Sequence, residues 1–165
     1  MRNLASDVSK IEDTVTLGCF DVGGRVVAID VAHVREVVRW QPVTPLPKAP
    51  ALIEGVIDLR GAVVPVVDLG RALNGKPIEV TSRSRIVVTN VEGLVVGFGV
   101  DVAIEVLQVD VTSMEDAPAL ATQSGYDAVR AVVRRPDADP IVVLSVEHLI
   151  ESVYRSALPV QEGAA

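Results

Sequence analysis

Aromatic residues are almost missing from this chain. They make up 3% of 165 residues, with one tryptophan, two tyrosines and two phenylalanines. Any sizeable core must therefore be aliphatic, and stacking platforms for nucleic-acid bases are scarce. Cysteine occurs once, at Cys19, so an internal disulfide and a cysteine-based metal cluster are both excluded. Cys19 reads as a small buried strand residue, and such sparse use of cysteine fits a reducing compartment. Positive charge is in the minority, with 15 Lys and Arg against 22 Asp and Glu, a net charge of -7. That balance argues against nucleic acid and against docking on anionic lipid. No stretch reaches the roughly eighteen apolar residues of a membrane span. The opening residues, polar and mixed in charge, lack the apolar core of a signal peptide. The expectation is a soluble cytoplasmic protein with no direct membrane insertion.

Catalytic patterns are missing too. His33 and His148 are far apart in sequence and read as structural. There is no G-x-S-x-G elbow, and Gly18, Gly23 and Gly24 do not make a dinucleotide fingerprint. Asn74-Gly75-Lys76-Pro77 lacks the hydroxyl that a phosphate loop supplies to magnesium. No run of the D-x-D-x-D-G kind brings carboxylates together for a metal, and no local pair suggests a glycosidase. The reading is therefore no enzyme, no cofactor and no metal.

What the chain does have is valine. Hydrophobic residues are 49% of the sequence and valine alone is about a fifth. Such β-branched enrichment favours strands. Residues 1–13 read as a loose tail. Thr14–Val22 and Arg25–Asp30 read as strands around the turn Gly23-Gly24, since adjacent glycines accept positive φ. Val31 to Val38 mixes helical spacing with β-branched residues, which predicts a short helical turn over Ala32–Val34 and a strand over Glu36–Trp40. Gln41–Pro50 carries four prolines and reads as an irregular connector. Gly70–Leu73 reads as a short turn or helical end. Ser84–Val91 and Leu94–Val100 are strands around Glu92-Gly93. Asp101–Asp110 is again mixed, and Val111–Gly125 reads as loop. Tyr126–Arg135 and Asp139–Val146 are the last strands. Glu147–Leu158 has apolar residues at helical spacing, so a C-terminal helix is expected, with a tail over 159–165.

The chain reads as two versions of one plan. Gly24-Arg25-Val26-Val27-Ala28 matches Gly93-Leu94-Val95-Val96-Gly97, 69 residues later. The same offset carries Glu36-Val37 to Glu105-Val106 and Val38 to Leu107. After a drift of several residues, Val64–Leu69 has a counterpart in Ile141–Val146, which sets Asp68 against Ser145. Five short strands in such an order favour a small closed barrel, because closure removes exposed edges. The expectation is an all-β protein of two small barrels packed side by side.

The most distinctive stretch is Ile53–Leu69, IEGVIDLRGAVVPVVDL. Strand-like runs flank Asp58-Leu59-Arg60-Gly61, which reads as a tight turn. A hairpin has no structural need for arginine at such a tip. Its planar guanidinium can bridge a carboxylate and carbonyls, so an apolar patch with Arg60 and Glu36 at its rim would suit a protein partner.

Gly55-Val56-Ile57-Asp58-Leu59-Arg60-Gly61, followed by Val64-Pro65-Val66-Val67-Asp68-Leu69, resembles the signature of CheW-like domains. Ala28-Ile29-Asp30-Val31 with Val34, Glu36 and Val37 matches as well, as do Pro45-Leu46-Pro47, Val96-Gly97, Val100-Asp101 and Glu105-Val106. The resemblance covers about residues 14 to 155. It implies two five-stranded SH3-like barrels within a single CheW-like domain over 14–158, with a short C-terminal helix. It also implies a non-catalytic adaptor that couples the cytoplasmic tips of chemoreceptors to the regulatory domain of the histidine kinase CheA, recruited to receptor arrays at the membrane. A CheW-like module serving pili or another output, without receptors, is the alternative. The resemblance carries a receptor-contacting role to Val34, Glu36, Gly55, Asp58, Leu59, Arg60 and Gly61, in a groove between the barrels. The chain departs from the family pattern in Asp58, where Asn is usual, in Asp101-Val102-Ala103, where Asp-Gly-Val is common, and at Val129 and Arg130, where a glycine is common.

Overall fold

The structure, a computed structural model, describes residues 13–117 and 128–157. A first hairpin, β1 (Thr14–Val22) and β2 (Arg25–Asp30), runs through a 3-10 turn at Val31–His33 into β3 (Val34–Arg39). A second hairpin, β4 (Gly55–Leu59) and β5 (Ala62–Asp68), is followed by the short helix α1 (Leu69–Asn74). The third hairpin is β6 (Arg85–Val91) and β7 (Leu94–Val100), after which β8 (Val102–Asp110) leads through a 3-10 turn at Val111–Ser113 to β9 (Met114–Asp116). A last hairpin, β10 (Val129–Arg135) and β11 (Ala138–Leu144), precedes helix α2 (Val146–Ala157). Asp101–Asp110 therefore resolves to strand, and Val111–Asp116 is not loop: its brief β9 pairs with β10. Val146 opens the helix instead of closing a strand. The expected loop over 118–125 and the start of the strand at Tyr126 lie outside the described residues, as do residues 1–12 of the first tail and the whole of the last one.

Three hairpins share one tip chemistry. Gly23-Gly24, Arg60-Gly61 and Glu92-Gly93 have positive φ at both residues, the conformation whose twist suits a two-residue hairpin loop. In each, an Asx side chain three residues before the turn's final glycine accepts that glycine's N–H: Asp21 Oδ1 at 2.9 Å, Asp58 Oδ1 at 2.8 Å and Asn90 Oδ1 at 3.0 Å. The loop at Arg60 is thus two residues long, with Asp58 and Leu59 inside β4. Asp58 and Asn90 perform the same task, since only the acceptor oxygen is used. That is why Asp can stand where Asn is common.

The strands form two sheets, ordered β3-β6-β7-β5-β4 and β8-β1-β2-β11-β10-β9. The barrels are not the two halves of the sequence. Under the 69-residue repeat, β3, β6 and β7 correspond to β8, β1 and β2, while β5 and β4 correspond to β11 and β10. The two sheets then have the same order, but each takes its leading hairpin from the other half of the chain. Register agrees residue by residue. Val38 pairs with Ile86 as Leu107 pairs with Leu17, and both pairings carry a bulge, one at Arg35 and one at Ile104. The parallel pairings correspond as well, β5 with β7 and β11 with β2.

This exchange explains the core. Ile57, Val64, Val66, Ile86 and Val88 fill one barrel, and Leu17, Cys19, Ala28, Val133, Ile141 and Val143 fill the other. The largest cluster lies between them: Phe20, Val22, Val27 and Ile29 from one sheet meet Val67, Val87, Val96, Phe98 and Val100 from the other, and Leu149, Ile150 and Val153 of α2 complete it. Alternation does the sorting, because neighbours on one strand face opposite sides. Val66 faces its barrel interior while Val67 faces the shared cluster. The helix starts are matched too. Asp68 Oδ1 accepts from Arg71 N at 3.0 Å, and Ser145 Oγ accepts from His148 N at 3.3 Å, the same capping geometry at equivalent places in the repeat.

Candidate functional site

The sheet that carries the arginine tip has β3 and β4 at its two edges. Both edges are treated by the chain itself. The proline-rich connector crosses beside β4, where Thr44 N donates to Val56 O at 2.8 Å and Val56 N donates back to Thr44 O at 2.9 Å. Arg71 of α1 holds the start of this strand: its Nε donates to the Glu54 carboxylate and its Nη2 donates to the Ala51 carbonyl at 2.6 Å. On the other side, Arg60 Nη2 at the hairpin tip donates to the Glu36 carboxylate on β3. The ion pair joins a hairpin tip to a strand 24 residues earlier and spans the seam between the two edge strands.

The candidate residues divide by burial. Arg60, Asp58 and Gly61 are exposed, and the Arg60 side chain is 68% accessible even while paired. Glu36 is half-buried. Val34 packs against the shared cluster and Leu59 against the barrel core, each partly accessible. Gly55 is buried. A Cβ placed there would fall on the Thr44 carbonyl and 2.8 Å from Val43 Cγ1. The structure thus gives Gly55 a reason that is not contact with a partner: it lets the connector lie against β4. Thr44, Glu54 and Arg71 went unnoticed in the sequence. Four prolines in the connector hid a backbone bridge, and nothing local ties Arg71 to Glu54, 17 residues away.

Pairing changes the acid chemistry of Glu36. The hydrogen bond from Arg60, with a smaller contribution from the charges of Arg60 and Arg35, holds its carboxyl below the ordinary 4.5. A lowered folded-state value means the pair contributes in full above about pH 4.5 and is lost as pH falls through the folded-state value. In an NMR titration of the carboxyl groups, Glu36 is expected to titrate below the ordinary 4.5, and Arg60→Ala is expected to move it back up towards that value. An unchanged Glu36 titration in that variant would contradict the pairing.

Other polar clusters are structural. His33 Nε2 lies 3.4 Å from Glu147 Oε1, and His148 Nδ1 lies 2.7 Å from Ser145 Oγ at the helix start. Cys19 is a buried core residue, and that burial pushes its thiol up from the ordinary value. Among the described residues no group of three or more His, Cys, Asp or Glu could hold a metal ion. None of the described helices is long and apolar enough to cross a membrane. A cleft of about 760 Å³ opens between the β1–β2 tip and the loop after α1, where Asp21, Arg25, Lys76, Glu79 and Asp101 mix both charges. None of the seven candidate residues lines it. Of the departures in the second sheet, Arg130 reaches Asp30 at 3.4 Å, and Val102 continues the pairing of β8 with Asp21 on β1.

The model of the CheW-like domain matches residues 16–154. The chemotaxis protein CheW of Rhizobium meliloti is 39% identical over 114 residues, covering 69% of this chain and 74% of that protein. The chemotaxis protein CheW of Bacillus subtilis is 32% identical over 142 residues, covering 86% of this chain and 91% of that one. The crystal structure of the scaffolding protein TtCheW from Thermoanaerobacter tengcongensis superposes with a TM-score of 0.71 at 28% identity, covering 80% of this chain and 84% of that chain.

Proposed function

The chain belongs to the CheW-like domain family and is a chemotaxis scaffold, and from that premise we propose that it couples the cytoplasmic tip of a chemoreceptor to the regulatory domain of the histidine kinase CheA. The receptor meets the β4–β5 tip and the adjoining edge of β3. The observation that carries this reading is the exposed Arg60, which stands on a two-residue turn and, among the described residues, is engaged by the half-buried Glu36 alone. A guanidinium has five donors, and the bond to Glu36 uses one of them. The remainder can take a partner's carboxylate or carbonyls without breaking the pair. Val34 and Leu59 offer apolar surface beside it, and Asp58 and Gly61 fix the turn. Gly55 acts indirectly, by seating the connector.

The test is Arg60→Ala in the full chain, with binding measured against a receptor cytoplasmic fragment and against the CheA regulatory domain. Receptor affinity is expected to fall about tenfold or more, as for an arginine anchor at an interface. The melting temperature should stay within about 2 °C, because an exposed ion pair contributes under about 1 kcal/mol. Kinase binding should be unchanged. Unchanged receptor affinity would remove Arg60 from the contact, and wild-type protein that binds neither partner would point to a pathway without receptors.

A further inference from the structure

On the face of β3 that points away from the barrel interior, Arg39 stands directly opposite Arg85 of β6. Side chains directly opposite in an antiparallel pair share a face and lie close, so like charges there repel. Arg85 Nη1 is turned onto the carbonyls of Ser82 and Ser84, at 3.0 and 2.8 Å. Neither arginine has an ion pair with a described residue, although the chain carries 22 acidic residues and a net charge of -7. Two residues along the same face, Val37 opposes Val87. Val87 is fully buried in the shared cluster, whereas Val37 is 42% exposed. Among the described residues, then, two arginines stand opposite each other beside an exposed valine with no carboxylate paired to either.

We propose that Arg39 and Arg85 form a clamp for a carboxylate, and that the occupant is an acidic segment of a partner protein whose neighbouring apolar side chain covers Val37. Two guanidinium groups suit one carboxylate, which would remove their mutual repulsion. The net negative charge of the whole protein disfavours a long polyanion or an anionic membrane, while a short acidic segment meets the local charge first. Arg39 and Arg85 face away from the barrel interior, whereas Glu36 alternates with Val37 and stands opposite Val88, which is buried in that interior. The clamp is therefore independent of the Arg60 tip.

Two measurements on the full chain test this. First, the proposal makes the pair a cost in the unliganded protein. Arg39→Gln is expected to raise the melting temperature by about 1–3 °C at low salt, and this gain should vanish near 1 M salt, where charges are screened. Second, a synthetic peptide of alternating Glu and Leu is titrated into isotope-labelled protein. Shifts are expected at Val37, Arg39 and Arg85, with at least a fivefold loss of affinity in Arg39→Gln and in Arg85→Gln, and wild-type affinity in Arg60→Ala. Shifts centred elsewhere, equal binding of a Lys-Leu peptide, or tighter binding of phosphatidylserine vesicles or an oligonucleotide would each overturn the proposal. So would a melting temperature that falls in Arg39→Gln. Loss of peptide binding in Arg60→Ala alone would count against the clamp without touching the receptor reading.

Discussion

Val66→Asp is expected to abolish cooperative folding at ambient temperature. Val66 is fully buried in the middle of β5, opposite Gly55 on β4 and Gly97 on β7. Its neighbours in the barrel interior are Ile57, Val64, Ile86 and Val88, which offer no partner for a carboxylate. Burying an unpaired charge, or protonating it in place, costs several kcal/mol, on the order of 4 or more. That is a large part of the roughly 5–15 kcal/mol that separates a folded domain from its unfolded chain. The damage should not stop at one barrel. Val67, the next residue, belongs to the cluster that both sheets share, so denaturation followed by circular dichroism and by Trp40 fluorescence should show both lobes lost together. Val63→Lys, on the same strand but 69% exposed and opposite Asp58, should change stability by less than about 0.5 kcal/mol. A fully stable Val66→Asp would mean that the alternation along β5 is assigned to the wrong faces.

Gly55→Ala is expected to be the second most damaging change, although it adds only a methyl group. The new Cβ would meet the backbone of Thr44, which cannot rotate away as a side chain could. The connector would have to lift from β4 and break both backbone hydrogen bonds between Thr44 and Val56. Two hydrogen bonds, with steric displacement and loss of the packing of Val43 on the barrel core, amount to about 2–4 kcal/mol. The urea midpoint should fall at constant slope, and the Thr44 and Val56 amides should lose protection from hydrogen exchange before the rest of β4. Gly24→Ala offers the contrast. Its φ is +82, but nothing lies within 4 Å of a Cβ there, so the cost should be only about 1 kcal/mol of backbone strain. If Gly55→Ala proved no worse than Gly24→Ala, the connector would not be seated as described. Receptor affinity in Gly55→Ala should fall as well, since the loosened β4 carries the Arg60 tip.

The hairpins were legible before any coordinates because their signals are local. Gly23-Gly24 and Glu92-Gly93 mark their turns, and β-branched runs mark β2, β5, β6 and β7 as strands; because these runs are largely buried on both faces, which side each residue faces was not legible. The repeat was legible for the same reason, as a similarity between two short patterns. The ambiguous stretch Val31–Val38 resolved much as its mixed composition suggested, into one 3-10 turn and a strand. Its counterpart at Asp101–Asp110 resolved into strand from Val102 onward, with a 3-10 turn only afterwards, at Val111–Ser113. The brief β9 was missed because three residues with polar flanks carry no period, and their pairing with β10 supplies the order. Of the site, the tip Arg60 and the rim acid Glu36 could be singled out separately. Their bond could not, since it joins a hairpin tip to an edge strand 24 residues earlier.

By itself the sequence determined the strand content, the turn chemistry, the duplicated plan and the family, all of which reside in short runs of residues. Only the tertiary structure decided that each barrel borrows its leading hairpin from the other half, that one apolar cluster binds both lobes, and that Arg39 and Arg85 stand opposite each other with no acid paired to either among the described residues. The physical reason is that strand pairing is a contest between distant segments. Val38 can pair with Ile86, or Leu17 with Leu107, only after the chain between them has been closed into loops, and no local preference records which closure wins.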